Sequence, residues 1–305
     1  MPRSRPCPTP SPPELPVRAV HTGVSGRLRG LMAVCRHRAP AAAALAGRLL
    51  APPWPRRCLV CGELCRTAAT AALSPRAGGD TAEGPMGGAE WRAEGVDLCP
   101  TCLHGLPWLR AACARCARPL PTPAAACGLC LRRPPPQTGT VAAFLYEAPL
   151  DRLLPRLKFH QDLAAGRSLA LAMAGRFAEA IADASSPEAL VPLPLHRSRL
   201  RARGFDQTLE LARPLARALD LPLRHDLLRR RRATAPQSRL DAAARSRNLR
   251  DAFVVDPPAR GRRLPAHVVL FDDVMTTGAT VQSAAQALLR AGVMRVDVWV
   301  CARVG

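Results

Sequence analysis

The chain has 305 residues, 48% of them hydrophobic, and a formal net charge of +21. That is enough apolar material for one large core or two unequal ones, which excludes a chain disordered throughout. No stretch reaches the roughly 18 apolar residues that cross a bilayer as a helix, and the opening Met-Pro-Arg-Ser-Arg-Pro has no apolar segment for secretion.

A reducing, cytoplasmic setting is therefore expected, with the 12 cysteines kept out of disulfides. The same Arg-rich, acid-poor start also has the composition of an organelle transit peptide. Of the 44 basic residues only Lys158 is lysine, a bias typical of GC-rich coding. The charge is uneven: residues 195–250 hold 15 Arg against 5 acids, and residues 1–57 hold 10 Arg against Glu14 alone. Such blocks suit phosphate-bearing partners, a nucleotide or single-stranded nucleic acid, and equally a solvated Arg-rich surface.

In chain order, residues 1–39 are rich in Pro and Arg without periodicity and read as a disordered leader, with Met32 as an alternative start. Residues 41–50 suit a short helix. A cysteine-rich domain over 40–133 carries an Ala/Gly-rich insertion at 66–94, and Pro134-Pro135-Pro136 opens a linker over 134–139. From 140 to 305 short β-rich runs alternate with helical ones, the pattern of an α/β fold with a parallel sheet and flanking helices. Strands are predicted at 140–146, 190–193, 252–255, 268–271 and 296–300. Helices are predicted at 163–182, 206–219 and 279–291, the last stopped by Gly292.

Four Cys-x-x-Cys pairs fall inside one 73-residue window: Cys58/Cys61, Cys99/Cys102, Cys113/Cys116 and Cys127/Cys130. Two intervening residues let one tight turn aim both sulfurs at a tetrahedral Zn²⁺, and Gly62 and Gly128 suit such turns. Eight thiolates make two structural Zn²⁺ sites of four cysteines, a double zinc ribbon. Ligation in chain order and interleaved ligation both satisfy the spacing. Metal would supply on the order of 10 kcal/mol to a segment too small for a core of its own. Buried thiols without metal are the alternative.

Residues 268–271 are apolar throughout, as in a strand buried on both faces, and are followed abruptly by Asp272 and Asp273. At the C-terminal end of a parallel strand such acids face the crevice where open α/β sheets bind ligands. Thr276, Thr277, Gly278, Ala279 and Thr280 then place small side chains, hydroxyls and a glycine just before a helix, so that backbone N–H groups converge on an anion. A phosphate in that loop leaves the acid pair placed to accept hydrogen bonds from ribose 2- and 3-hydroxyls.

Residues 268–280 resemble the phosphoribosyl pyrophosphate (PRPP) motif of type I phosphoribosyltransferases. The resemblance assigns Asp272 and Asp273 to the ribose hydroxyls, Thr276 to Thr280 to the 5-phosphate, and Mg²⁺ to the pyrophosphate. Further segments narrow it: Val191 to His196 with Arg199; Arg203-Gly204-Phe205-Asp206-Gln207; Thr234 to Gln237; Arg247-Asn248; and Leu157-Lys158-Phe159. With the cysteine-rich head they resemble the ComF family of competence-associated proteins, from about Ala41 to the C-terminus. That family joins a zinc-ribbon head to a phosphoribosyltransferase-like body. Its usual Arg-Gly-Phe-Asn-Gln carries Asp206 here, and the insertion stands where a helix links the first two cysteine pairs.

Arg199, Arg203, Gln207, Gln237 and Arg247 would then line the pyrophosphate and a basic hood, with Arg229 to Arg232 and Thr234 to Arg239 closing over the ligand. His196 and His160 are candidate bases. Three functions follow. One is a pentosyl-class glycosyltransferase acting on PRPP by electrostatic stabilisation of an oxocarbenium-like transition state. The second is a DNA-uptake factor that binds single-stranded DNA and a competence helicase. The third uses the zinc head for protein interaction and the body as an inert scaffold.

Overall fold

The structure, a computed structural model, describes residues 56–65, 95–182, 186–231, 252–256 and 263–305. The leader at 1–39, the helix at 41–50, the insertion at 66–94, Gln237 and Arg247 lie outside the described residues. The strands are β1 (Thr140–Leu145), β2 (Ala189–Pro192), β3 (Leu228–Arg230), β4 (Phe253–Val255), β5 (His267–Met275) and β6 (Arg295–Arg303). Four form a parallel sheet ordered β1-β6-β5-β2, while β3 and β4 pair antiparallel as a separate ribbon. The predicted strand at 252–255 therefore belongs to the ribbon.

The helices are α1 (Pro100–His104), α2 (Gly128–Arg132), α3 (Leu150–His160), α4 (Leu163–Ala182), α5 (Arg197–Arg203), α6 (Gln207–Ala218) and α7 (Ala279–Arg290). Asp206 caps α6 by accepting the N–H groups of Thr208 and Leu209, which is why that helix begins where it does. Among the described residues, no helix is long and apolar enough to cross a membrane.

Strand periodicity sorts the core onto two faces. Val269 and Phe271 of β5 join Phe177, Leu169 and Trp299 on one side, where the Phe177 and Trp299 rings stack at 4.7 Å. Val268 and Leu270 join Val281, Leu288 and Val298 on the other. The cysteine segment shares these clusters: Val96, Leu98 and Leu106 pack with Phe144 and Leu154, and the Trp108 and Phe144 rings lie 4.6 Å apart. The linker is tied down as well, for Thr138 N–H donates to the Val296 carbonyl at 2.8 Å and Gln137 is buried.

Candidate functional site

The strand at 268–271 does not stop at the acids. β5 runs on to Met275 because β6 continues alongside it, pairing Asp272 with Val300 and Met275 with Arg303. Asp272 and Asp273 are thus the buried C-terminal part of a strand, 9% and 6% exposed, and alternation turns them to opposite faces. Asp273 lies on the Phe271 face, where Lys158 of α3 reaches it at 2.8 Å. Burial, then the neighbouring Asp273 charge, pushes the Asp272 carboxyl well above the usual range. Two carboxylates held out of water, with one lysine paired to Asp273, form a site built for donors and positive charge.

More positive charge stands close by. Burial, then the Arg199 charge, lowers the pKa of Arg230 of the ribbon, while Asp272 acts on it in the opposite sense. Arg199 of α5, Arg230 and Asp272 therefore lie within electrostatic reach of one another. Two cations this close raise the local positive potential, which favours anions. Arg229, by contrast, is exposed and pairs with Asp256 across the ribbon.

β2 runs parallel to β5, and Leu193 N–H donates to the Phe271 carbonyl at 2.8 Å as the chain leaves β2. The following loop is clamped by Asp206, whose Oδ2 accepts Leu195 N–H at 3.1 Å. Burial raises the Asp206 pKa against these hydrogen bonds. Arg203 at the end of α5 is hydrogen-bonded to the buried Gln207 and lies over the Phe159 ring, 5.4 Å from its centroid. His196 serves as the α5 N-cap, its Nδ1 accepting Ser198 N–H at 3.2 Å. That geometry gives this candidate base a structural role, and His160 ends α3 in solvent.

Beyond Met275 the chain turns through exposed Thr276 and Thr277 into Gly278, which has φ of +81°. Such a φ favours glycine. With no side chain on Gly278 to cap α7, the first N–H groups of a 12-residue helix point toward the end of β5 as a ready anion cradle. Ala279 N–H makes one long contact, 3.4 Å, to Thr277 Oγ1.

The eight paired cysteines form two groups, Cys58, Cys61, Cys99, Cys102 and Cys113, Cys116, Cys127, Cys130, with the sulfurs of each group within 4.8 Å of one another. Grouping follows chain order and is not interleaved. Each group joins one knuckle turn to the start of one short helix. Gly62 (φ +77°) and Ala117 (φ +51°) follow the knuckle pairs, and Cys99 and Cys127 occupy the N-cap positions of α1 and α2, with Cys99 Sγ accepting Cys102 N–H. Gly128 is the first residue of α2, so its predicted role in a turn falls to Ala117, and the two groups are copies of one local design.

Within each tetrad the thiols differ. Burial pushes Cys58 up, but N–H groups of Cys61, Cys99 and Val60 bring it down to about 6, and the Cys130 N–H, opposed by burial, brings Cys127 to about 6. Burial and neighbouring thiols raise Cys102 and Cys130. Four sulfurs this close cannot all ionise without a cation, and an all-sulfur tetrahedral set fits a structural metal ion, Zn²⁺ foremost. Arg303, 6% exposed, ties the second tetrad to the end of β5. Its guanidinium donates to the carbonyls of Cys116 at 3.4 Å, Met275 at 3.2 Å and Val304.

Comparison with known proteins now adds to this geometry. No family model matches the chain. DNA utilization protein YhgH of Escherichia coli (strain K12) is 38% identical over 173 residues, 56% of this chain and 74% of that protein. The chain belongs to the ComF family. The ComF relatives also include DNA utilization protein YhgH of Salmonella typhimurium, 36% identical over 210 residues, 68% of this chain and 85% of that protein. Competence protein F of Haemophilus influenzae is 35% identical over 160 residues, 52% and 69% of the two chains.

Within this ComF-family chain, the structure brings together Asp272, Asp273, the loop from Thr276 to Thr280, Arg199, Arg203 and Gln207 around the ends of β2 and β5. Sequence reasoning did not assign the partners of the acids. Lys158 was legible only as the one lysine among 44 basic residues, and Arg230 as one of a run. Asp206 was readable as a helix cap, but its clamp on Leu195 depends on the tertiary fold.

Proposed function

We propose that the ends of β2 and β5 form a binding site for PRPP or a related ribose 5-phosphate, in a protein that serves competence and DNA uptake. The observation that carries this reading is the buried Asp272/Asp273 pair held beside the uncapped start of α7. The acids accept the ribose 2- and 3-hydroxyls, the N–H groups of residues 278–280 and the threonine hydroxyls receive the 5-phosphate, and Arg199, Arg203 and Arg230 face the pyrophosphate. The donor set suits Mg²⁺ arriving with PRPP, since the carboxylates and ligand oxygens are hard donors. Bound there, the ion would neutralise the pyrophosphate. Lys158 holds Asp273 in place through their 2.8 Å ion pair, and closure of the β3/β4 ribbon excludes water. Transfer to an acceptor by a pentosyl-class mechanism is compatible with this arrangement, and the binding role does not depend on it.

The DNA link rests on the relatives' names, DNA utilization protein and competence protein F, and on the 15 Arg against 5 acids of residues 195–250. That block also supports a second reading, in which the body grips single-stranded DNA electrostatically beside a helicase partner.

A thermal-shift screen separates the two. PRPP with Mg²⁺ at about 100 times its Kd should raise the unfolding midpoint by ~5–10 °C, from a stabilisation of ~2.7 kcal/mol and a response of ~2–4 °C per kcal/mol. A shift with oligonucleotides alone, abolished between about 50 and 200 mM salt, would favour the second reading.

A further inference from the structure

The starts of β1, β5 and β6 line a cavity of about 500 Å³, together with α4 and residues 109–125 of the cysteine segment. It lies at the opposite end of the sheet from the acid pair: His267 opens β5 five residues before Asp272, roughly 16 Å along an extended strand. The space exists because the residues that meet there are small. Seven of those lining it are alanines, among them Ala112, Ala142 and Ala180, and they leave volume unfilled between Leu109, Val141, Ile181 and Val269. An empty void of that size would forfeit dispersion contacts along its whole wall. A volume of roughly 300–1,000 Å³ with apolar walls and a few polar groups is instead the ordinary form of a ligand pocket.

The polar groups are few and mostly cationic. Arg110, Arg176 and Arg295 line the cavity against a single acid among the described residues, Asp297. That acid is already engaged, for its Oδ2 has His267 Nε2 at 2.8 Å and Arg295 Nε and Nη2 at 3.0 and 2.9 Å. Arg176 pairs at 3.3 Å with Glu179 near the surface, an interaction worth little in water. Arg110 is exposed and has no ion-pair partner among the described residues. Apolar walls with surplus guanidinium charge call for a ligand with an apolar body and an anionic end.

We infer that this cavity is a second ligand site, independent of the ribose-phosphate reading, and that it takes a small organic anion with an apolar body, a medium-chain or aryl carboxylate in class. Arg110 and Arg176 would receive the carboxylate, and the body would fill the space that the alanines leave. Because the walls come from both the cysteine segment and the α/β body, the ligand would bridge the two.

Fluorescence titration of anilinonaphthalene sulfonate, an aryl anion, into the full chain and into Ala180→Trp and Arg110→Ala/Arg176→Ala, followed by displacement with octanoate and with octanol, tests this. Expected are saturable binding of one probe per wild-type chain and displacement by octanoate at about tenfold lower concentration than by octanol, the scale of one hydrogen-bonded charge. The arginine variant should erase that margin while octanol still displaces the probe, and Ala180→Trp, which fills the space, should abolish probe binding. No saturable binding by wild type overturns the site, as does binding that survives in folded Ala180→Trp. Octanol matching octanoate on wild type, or a margin unchanged in the arginine variant, overturns the anion assignment. If Ala180→Trp does not fold, the arginine variant decides, since neither of its side chains is buried. A wild-type dimer that Ala180→Trp dissociates, without any probe binding, gives the cavity to a second copy of the chain and overturns the ligand.

Discussion

Asp272 and Asp273 stand where the preceding Val-Val-Leu-Phe would lead a buried strand to continue with aliphatic residues. Burial raises the pKa of Asp272 above the ordinary carboxyl range, so the folded chain holds this proton to higher pH than the unfolded chain does. Stability at this residue is therefore greatest below the ordinary carboxyl pKa and falls as pH rises toward the raised value. Asp272→Asn removes that cost. At pH 7 to 8 the variant should unfold at a higher temperature than wild type, by ~2–4 °C for each kcal/mol, and the gap should close as pH approaches 4. A variant less stable than wild type at pH 8 would contradict the dominance of burial over the favourable contacts of Asp272. Lys158 carries a related lesson: its uniqueness was visible in the sequence, but its 2.8 Å contact with Asp273 joins residues 115 positions apart and no local pattern announces it.

Elements were legible where one principle ruled. The Ala-rich helix at 163–182 matches α4 residue for residue, because nothing in its interior breaks it. The helix α3 went unassigned although Leu150, Leu153, Leu154 and Leu157 mark a helical face; Pro155 inside it reads as a breaker. The acids seemed to end β5 because charge normally ends a buried strand, while hydrogen bonding to β6 carries the strand through them. The cysteine pairs were plain, but the sequence does not show that each tetrad repeats a knuckle and a helix start. Elemental analysis should find two zinc ions per chain, and Cys113→Ser/Cys116→Ser should leave one. The loss, on the order of 10 kcal/mol of metal-linked folding energy, should destabilise the α/β body as well, because Leu109 and Ala117 pack in its core and Arg303 bonds the Cys116 carbonyl. Unchanged body stability in that variant would show the tetrad to be an independent appendage.

At the scale of the whole molecule, the described cysteine segment and the α/β body share apolar clusters, and the proposed ligand site lies at the C-terminal ends of β2 and β5, where open parallel sheets bind ligands. The excess of arginine in the composition fits phosphate-bearing partners and a solvated surface equally. Chain-wide charge cannot place an anion site; the proposed one depends on Asp272, Asp273, Lys158, Arg199, Arg230 and the start of α7, which only the assembled fold brings near one another. The most direct measurement of the central claim is calorimetric titration of PRPP with Mg²⁺ into wild type and into Asp272→Asn/Asp273→Asn. Saturable binding by the wild type, weakened at least tenfold in the folded double variant, is the predicted result. Binding that is absent from wild type, or indistinguishable between the two proteins, would contradict a ribose-phosphate site at the end of β5.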